Sequence, residues 1–257
     1  MKKCLTLKTG LGWAIVGMGL TWLVMDGAAK AGPPFLTDDP EPVDPGHWEV
    51  YGFTQVTETR DDTSGVQPGV EVNYGLAPNL QIHLIAPLAM DRPDARPAVF
   101  GIGDIELGAK YRFVEETDSR PQVGVFPLIE LATGDPDRGL GAGYTRAFLP
   151  VWVQKSYGDW LTYGGGGYWI NPGPGNRNYW FTGWLLQRQV TKPLALGVEL
   201  FHETANTVDG KAATGFNVGG IYDVNDHYHL LFSGGSGLQN TAVTNKFSYY
   251  LALQYTF

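Results

Sequence analysis

Five histidines are the side chains of this sequence best suited to catalysis or metal binding: His47, His83, His202, His227 and His229. Nucleophilic hydrolysis needs a serine beside a histidine that a third group orients. None of the five lies in a motif of that kind. His83 and His202 are candidates for a position facing lipid or its interface. There, catalysis would need a serine from a neighbouring strand beside each of them. The sequence therefore predicts no enzyme, no catalytic residue and no cofactor.

Two short motifs have simple structural explanations. His227 and His229 place two imidazoles on one side of a strand, a ligand-like spacing, but no third metal ligand is evident nearby. The run of four glycines at 164–167 lacks the lysine and hydroxyl residue of a phosphate loop, and glycines in a strand permit curvature or leave space. We predict neither a metal site nor a nucleotide site.

The first 31 residues have the features of a secretory signal. Lys2, Lys3 and Lys8 precede a mostly apolar run from Leu11 to Met25, and small residues follow at Ala29 and Ala31. The apolar run is about fifteen residues long, shorter than the roughly twenty that a membrane-spanning helix requires. We therefore expect cleavage after Ala31, rather than a membrane anchor, and export to the periplasm of a Gram-negative bacterium.

Cleavage changes both the cysteine content and the charge. The leader contains Cys4, the only cysteine, together with four lysines and one aspartate. The remaining chain would have no disulfide, and its 14 basic and 25 acidic residues would give a net charge of −11. Such an acidic chain is a poor partner for nucleic acid.

After residue 31 the dominant pattern is a run of roughly ten residues rich in Val, Leu, Tyr, Trp and Gly, followed by a turn signal. About twelve such runs occur between residues 48 and 257. The connections alternate between tight turns, such as 77–79 and 191–193, and longer polar stretches, such as 60–67, 134–143 and 171–178. This alternation is typical of an up-and-down barrel with both ends in water.

We therefore predict an all-β fold, an antiparallel up-and-down transmembrane β-barrel of about twelve strands, with short periplasmic turns and longer extracellular loops. The barrel would comprise residues 48–257. A secreted lipocalin-like barrel or β-sandwich also alternates, with its apolar face inside, and periodicity alone does not distinguish the two. Closure without edges, which lipid requires, and the form of the last strand favour the membrane barrel.

The last strand and the charged strands assign the two faces. Alternate apolar residues in the closing strand would face lipid and form a girdle: Phe247, Tyr249, Leu251, Leu253, Tyr255 and Phe257. This strand resembles the closing strand by which bacterial outer-membrane proteins are recognised for assembly. Charged residues on the alternate side of several strands are candidates for lining the lumen: Glu71, Glu106, Lys110, Arg112, Glu130, Arg188, Glu199 and Glu203.

Residues 32–47 are rich in proline and acidic side chains. Five prolines remove backbone donors, so this segment cannot form a central strand. Two placements remain open: a loose periplasmic leader, or a partial plug inside the barrel. The apolar pair Phe35 and Leu36, awkward to leave in water, is the argument for the plug.

Two stretches, GPPFLTDDPEPVDPGHWEVYGF at 32–53 and LPVWVQKSYGDWLTYGGGGYWINPGPGNRNYWFTGWLLQRQV at 149–190, resemble bacterial outer-membrane transporter proteins grouped with the meta-pathway of phenol degradation. The resemblance extends over the whole chain after the leader and implies an outer-membrane β-barrel. It assigns no role to any individual residue.

The expected function is an outer-membrane channel or transporter for passive passage of small solutes, with hydrophobic or aromatic compounds among them. The alternatives are a closed structural or surface-interaction barrel without a pore and, with less support, a surface lipid hydrolase. Expected partners are outer-membrane lipid, lipopolysaccharide, the barrel assembly machinery and an unidentified small solute, but no nucleic acid.

Overall fold

The computed structural model describes residues 33–257, so the predicted signal at 1–31 lies outside the described residues. Strands dominate: β1 (Trp48–Glu58), β2 (Asp62–Ala77), β3 (Leu80–Pro93), β4 (Val99–Ile102), β5 (Ile105–Val114), β6 (Gln122–Val125), β7 (Leu128–Leu131), β8 (Arg146–Tyr157), β9 (Trp160–Ile170), β10 (Tyr179–Thr191), β11 (Leu194–Glu203), β12 (Ala213–Asp223), β13 (Tyr228–Gln239) and β14 (Phe247–Thr256). A 3-10 turn at Pro136–Arg138 and a single helical turn, α1 (Thr241–Thr244), lie in connections. None of the helices in residues 33–257 has the length and hydrophobicity needed to span a membrane.

The fourteen strand segments form a closed antiparallel barrel of twelve strands, which confirms the predicted fold class. β3 pairs with both β4 and β5, so β4 and β5 together form one interrupted strand. β8 pairs with both β6 and β7, so β6 and β7 together form another. β6 and β7 are separated by Phe126 and Pro127. Proline has no N–H for the ladder, although its carbonyl still accepts from Ala109 N at 3.2 Å.

Antiparallel pairing of β1 with β14 joins the two ends of the barrel strands. The register runs from Glu49 opposite Thr256 to Glu58 opposite Phe247. Beyond it, Trp48 N donates to Phe257 O at 2.8 Å, and Phe257 N donates back at 3.1 Å. The first and last residues of the barrel, Trp48 and Phe257, therefore lie at the same opening, as an even strand number requires.

The connections at that side are short, whereas those at the opposite side include residues 132–145, 171–178 and 204–212. One predicted long loop is wrong. Residues 60–67 are polar and contain glycine, but β2 begins at Asp62, so only three residues separate it from β1. Hydrogen bonds of Thr59 N to Asp62 O and of Arg60 N to Ala242 O hold this tight connection.

The barrel is apolar outside and polar inside. In β11 the outward Leu196, Val198 and Leu200 are 40–47% exposed, whereas Glu199 between them is fully buried. In β14, Leu251, Leu253 and Tyr255 are exposed, as is Phe257 directly after it, while Tyr250, Ala252 and Gln254 point inward and are buried. This is the reverse of a water-soluble barrel, so the outer face matches hydrocarbon and the inner face is the polar one.

Candidate functional site: the barrel lumen

Residues 33–47, called here the N-terminal segment, enter the barrel as far as residue 43, while residues 44–47 are exposed at its end. Thr37 and Asp39 are fully buried. Ser233 Oγ on β13 donates to Pro34 O at 2.5 Å, and Val43 N donates to Gln81 Oε1 on β3 at 2.9 Å. The segment therefore contacts two strands that are not neighbours in the barrel wall. Of the two placements left open by the sequence, the structure has the one within the lumen.

Ion pairs attach the middle of the N-terminal segment to β5. Lys110 Nζ lies 2.9 Å from Asp38 Oδ1 and 3.3 Å from Asp39 Oδ2. Two residues further along β5, Arg112 Nη1 lies 2.6 Å from Glu41 Oε1. Lys110 and Arg112, two of the three cations predicted to line the lumen, therefore point inward, but the acidic N-terminal segment neutralises their charge.

The glutamine on β6 completes this attachment. Gln122 Nε2 donates to Glu41 Oε2 at 2.6 Å, and Gln122 Oε1 accepts from Arg112 Nη1 at 3.0 Å. Gln122 is 2% exposed. Each oxygen of the Glu41 carboxylate, whose side chain is 39% exposed, thus has a partner on the barrel wall.

The opposite flank of the N-terminal segment packs on β9–β11. Phe35 contacts a buried cluster formed by Leu161, Tyr163 and Leu185. Thr37 N donates to Glu199 Oε1, and Glu199 Oε2 accepts from Asn217 Nδ2 at 2.6 Å. Glu199 is therefore inward, but it holds the segment instead of facing open solvent.

Glycines in the wall leave room for the segment. A Cβ at Gly183 would collide with Thr37 Oγ1, and a Cβ at Gly124 would lie 2.9 Å from Pro40 Cβ. The close approach of Thr37 and Pro40 to the wall at these positions requires residues without side chains. The wall and the N-terminal segment are thus complementary in shape as well as in charge.

A cavity of about 1070 Å³ remains beside the N-terminal segment. Its lining includes Lys211 and Thr244 at the long-loop end of the barrel and His227 and Phe257 at the end that holds both barrel termini. The middle is lined by β1, β2, β3, β12 and β14. The cavity therefore extends from one end of the barrel to the other.

Glu71 and Glu106 lie on either side of Ile85 in the strand register of β2, β3 and β5. His83, two residues from Ile85 on the same face, has Nε2 at 2.9 Å from Glu106 Oε1 and Nδ1 at 2.6 Å from Asn73 Oδ1. Its Nδ1 is also 3.7 Å from Glu71 Oε1. The predicted outer-face position of His83 is therefore wrong: the side chain is buried in the lumen between two acids.

Glu130 and Glu203 lie nearer the long loops. Glu130 Oε2 accepts from Arg146 Nε at 2.9 Å and also from Nη2, and the guanidinium lies 5.2 Å from the centre of the Trp169 ring. Glu203 Oε1 accepts from Asn206 Nδ2 at 3.1 Å and lines the cavity. Both residues are inward, and Glu130 has a cation partner that the sequence did not indicate.

Arg188 is the incorrect member of the predicted lumen set. It lies exposed on the outer face, with its guanidinium 5.2 Å from the Trp160 ring centre. Leu185 and Gln187 of β10 are buried and inward, so Arg188 falls on the opposite side. The run YWFTGWLLQ is apolar on both faces, and its sequence therefore does not fix which face turns inward.

The inner surface also contains neutral polar residues that sequence reasoning missed. Gln81, Gln122, Gln154, Gln187 and Gln254 are each no more than 3% exposed. Each follows or precedes apolar residues in a strand, so a lone glutamine among apolar neighbours was the available signal. Within residues 33–257, no three His, Cys, Asp or Glu side chains are arranged to hold a metal ion.

Comparisons with known proteins give structural neighbours only. No protein-family model matches the chain, and no curated protein matches it. An outer membrane channel from Pseudomonas putida F1 has a similar structure, with a TM-score of 0.73, 18% identity, and coverage of 89% of this chain and 100% of that one. The KdgM porin, solved with disordered oligogalacturonate, has a TM-score of 0.56 and 10% identity, with coverage of 82% of this chain and 99% of that one. The NanC porin has a TM-score of 0.51 and 9% identity, with coverage of 81% of this chain and 98% of that one. At these identities the likeness establishes the barrel fold.

Proposed function

We propose that this protein is an outer-membrane channel for passive passage of small solutes in a Gram-negative bacterium, and not an enzyme. The observation that carries the proposal is the cavity that reaches both ends of a barrel with an apolar outside and a polar inside. Three similar structures are described as an outer membrane channel and two porins. Hydrophobic or aromatic solutes fit the rings of Phe53, Phe201 and Tyr250 in the cavity lining, and the resemblance to the phenol-pathway group agrees with them.

The N-terminal segment limits this passage. It fills the side of the lumen bounded by β5, β6 and β9–β11, and it attaches to both walls by ion pairs and hydrogen bonds. Solutes would pass through the remaining cavity, or through a wider lumen when the segment leaves it.

The proposed route to the membrane follows from the ends of the chain. The signal at 1–31 would direct export, and the barrel assembly machinery would recognise the closing strand, whose apolar residues Leu251, Leu253 and Phe257 are exposed. Lipid and lipopolysaccharide would then cover the outer face.

A closed structural barrel is the second candidate. Its support is the set of interior ion pairs, Lys110 with Asp38, Arg112 with Glu41 and Glu130 with Arg146, which fill and stiffen the lumen. In this case the N-terminal segment would be a permanent part of the core.

Planar bilayer recording distinguishes the two candidates. Residues 32–257 and a variant lacking 33–45 would be refolded and inserted under identical conditions. The channel proposal predicts discrete conductance steps that are larger in the deletion variant. Silence from both proteins, each shown to be folded, would support the closed barrel.

A further inference from the structure

Tyr250 lines the cavity, and its buried hydroxyl is unsatisfied. The side chain is 9% exposed, and its hydroxyl has no hydrogen-bond partner within the described chain. Its ring stacks on Phe53 with centroids 5.6 Å apart, which fixes the position of the hydroxyl. A buried hydroxyl without a partner is costly, so this one is a candidate for contact with a bound molecule.

The cavity around Tyr250 is acidic. Eight carboxylates and two lysines, Lys110 and Lys211, line it. Lys110 is already engaged by Asp38 and Asp39. Glu71 and Glu106 flank His83, so this group contains one more acid than base. Because low-dielectric walls strengthen the field of acidic side chains, the cavity favours a cation.

The same cavity has apolar and aromatic walls. Phe53, Phe126, Phe201, Ile221 and Leu231 line it together with the carboxylates. The ammonium group of Lys110 lies 5.0 Å from the centre of the Phe126 ring, so one cation is already held against an aromatic face there. A ligand that satisfies this lining needs an apolar body as well as a positive charge.

A metal ion does not meet this description, since the described residues hold no group of three or more potential ligands. A neutral aromatic solute would use the rings but leave the carboxylates uncompensated. An organic ammonium ion would use both, and its N–H groups would donate to the Tyr250 oxygen and to carboxylate oxygens.

We infer that the cavity binds a small organic cation with an apolar body, recognised by Glu71 and Glu106 through charge, by Tyr250 through a hydrogen bond and by Phe53 and its neighbours through ring contacts. This inference names the solute class of the proposed channel and in that respect rests on it. Binding itself, however, does not depend on passage and is measured separately.

Isothermal titration calorimetry on refolded residues 32–257 in nonionic detergent tests the inference. The probes are 2-phenylethylammonium, 2-phenylethanol and 3-phenylpropionate, which share a ring and a similar length but differ in charge. The ammonium ion should bind at least about tenfold more tightly than the alcohol, and the anion more weakly still. Equal affinity for the three probes would overturn the inference.

Three variants locate the site. Tyr250→Phe removes only the hydroxyl, and Glu71→Gln combined with Glu106→Gln removes two charges without changing shape. Each should weaken ammonium binding by about tenfold, while Glu115→Gln, an exposed acid in a turn outside the cavity lining, should leave it unchanged. Circular dichroism verifies folding. Unchanged affinity in folded Tyr250→Phe and in the double variant would place the ligand elsewhere and contradict the inference.

The bilayer recordings keep the two proposals apart. Ammonium binding by a protein that never conducts would remove the channel and leave the cation site. Conductance that is equal for cations and anions, without ammonium binding, would leave the channel and remove the cation site.

Discussion

Lys110 and Asp38 form an ion pair, with 2.9 Å between Nζ and Oδ1, that joins the barrel wall to a segment 72 residues earlier in the chain. Asp39 shares the same ammonium group at 3.3 Å and is itself fully buried. The pair therefore links the charge of the N-terminal segment to its position inside the lumen.

Lys110→Met should release the N-terminal segment. Removing the cation leaves two acids in the lumen without their partner, and breaking a buried pair in this way costs about 3–5 kcal/mol. Digestion by proteinase K of the protein in detergent should cut the segment faster than in the unaltered chain.

Lys155→Met is the matched control for this variant. Lys155 pairs with Glu116 at 2.8 Å and donates to Thr117 O at 3.0 Å, and neither partner belongs to the N-terminal segment. The account predicts no change in cleavage of the segment for this variant. Equal cleavage rates in both variants would show that Lys110 does not hold the segment.

Gly183→Ala should displace Thr37. The added Cβ would collide with Thr37 Oγ1 in the present arrangement, so either the segment moves or the wall does. Conductance in planar bilayers should rise towards that of the 33–45 deletion. Gly52→Ala, where an added Cβ meets no atom within 4 Å, should behave like the unaltered protein. If the two variants conduct alike, contact at Gly183 does not determine the segment's position.

Glu199→Gln combined with Glu203→Gln, introduced in the 33–45 deletion, should shift ion preference towards anions. Both side chains are inward, and deletion frees Glu199 from Thr37. Removing two carboxylates lowers the local concentration of cations in the lumen. The reversal potential in a salt gradient measures the shift, and Arg188→Gln, on the outer face, should not alter it. A reversal potential unchanged by the double variant would exclude both acids from the solute path.

Leu251→Lys should impair folding into lipid vesicles. Leu251 is 46% exposed in the middle of β14, and a lysine at mid-membrane on the lipid face costs about 2–4 kcal/mol. A urea titration of the folded protein in vesicles measures the loss, with Leu251→Ile as a control that keeps an apolar side chain. Unaltered stability of the lysine variant would mean that this face does not contact hydrocarbon.

Strands with charges on one side only were predictable. In β5, apolar and charged residues alternate, and the structure has Glu106, Lys110 and Arg112 inside and Leu107 and Tyr111 outside. Alternation in β10 is lost because tryptophan, leucine and phenylalanine occupy both faces, so the phase that turns Arg188 outward depends on pairing with β9 and β11.

The sequence reduced the possible positions of the N-terminal segment to two but did not decide between them. Its prolines exclude a central strand, yet its partners are distant in the chain: Lys110, Arg112 and Glu199. Local patterns contain no information on such contacts. The cavity is equally non-local, because its lining comes from most of the barrel strands.

Thiol modification within the lumen tests the central claim, that the inside of this barrel is the solute path. Residues 32–257 contain no cysteine, so Glu71→Cys and Val70→Cys each provide a single thiol, the first 6% exposed and inward and the second 45% exposed and outward. Both would be made in the 33–45 deletion and recorded in planar bilayers while an anionic methanethiosulfonate is added. The account predicts a stepwise fall in single-channel conductance for Glu71→Cys and none for Val70→Cys. The same response from both thiols, or no conductance to modify, would contradict it.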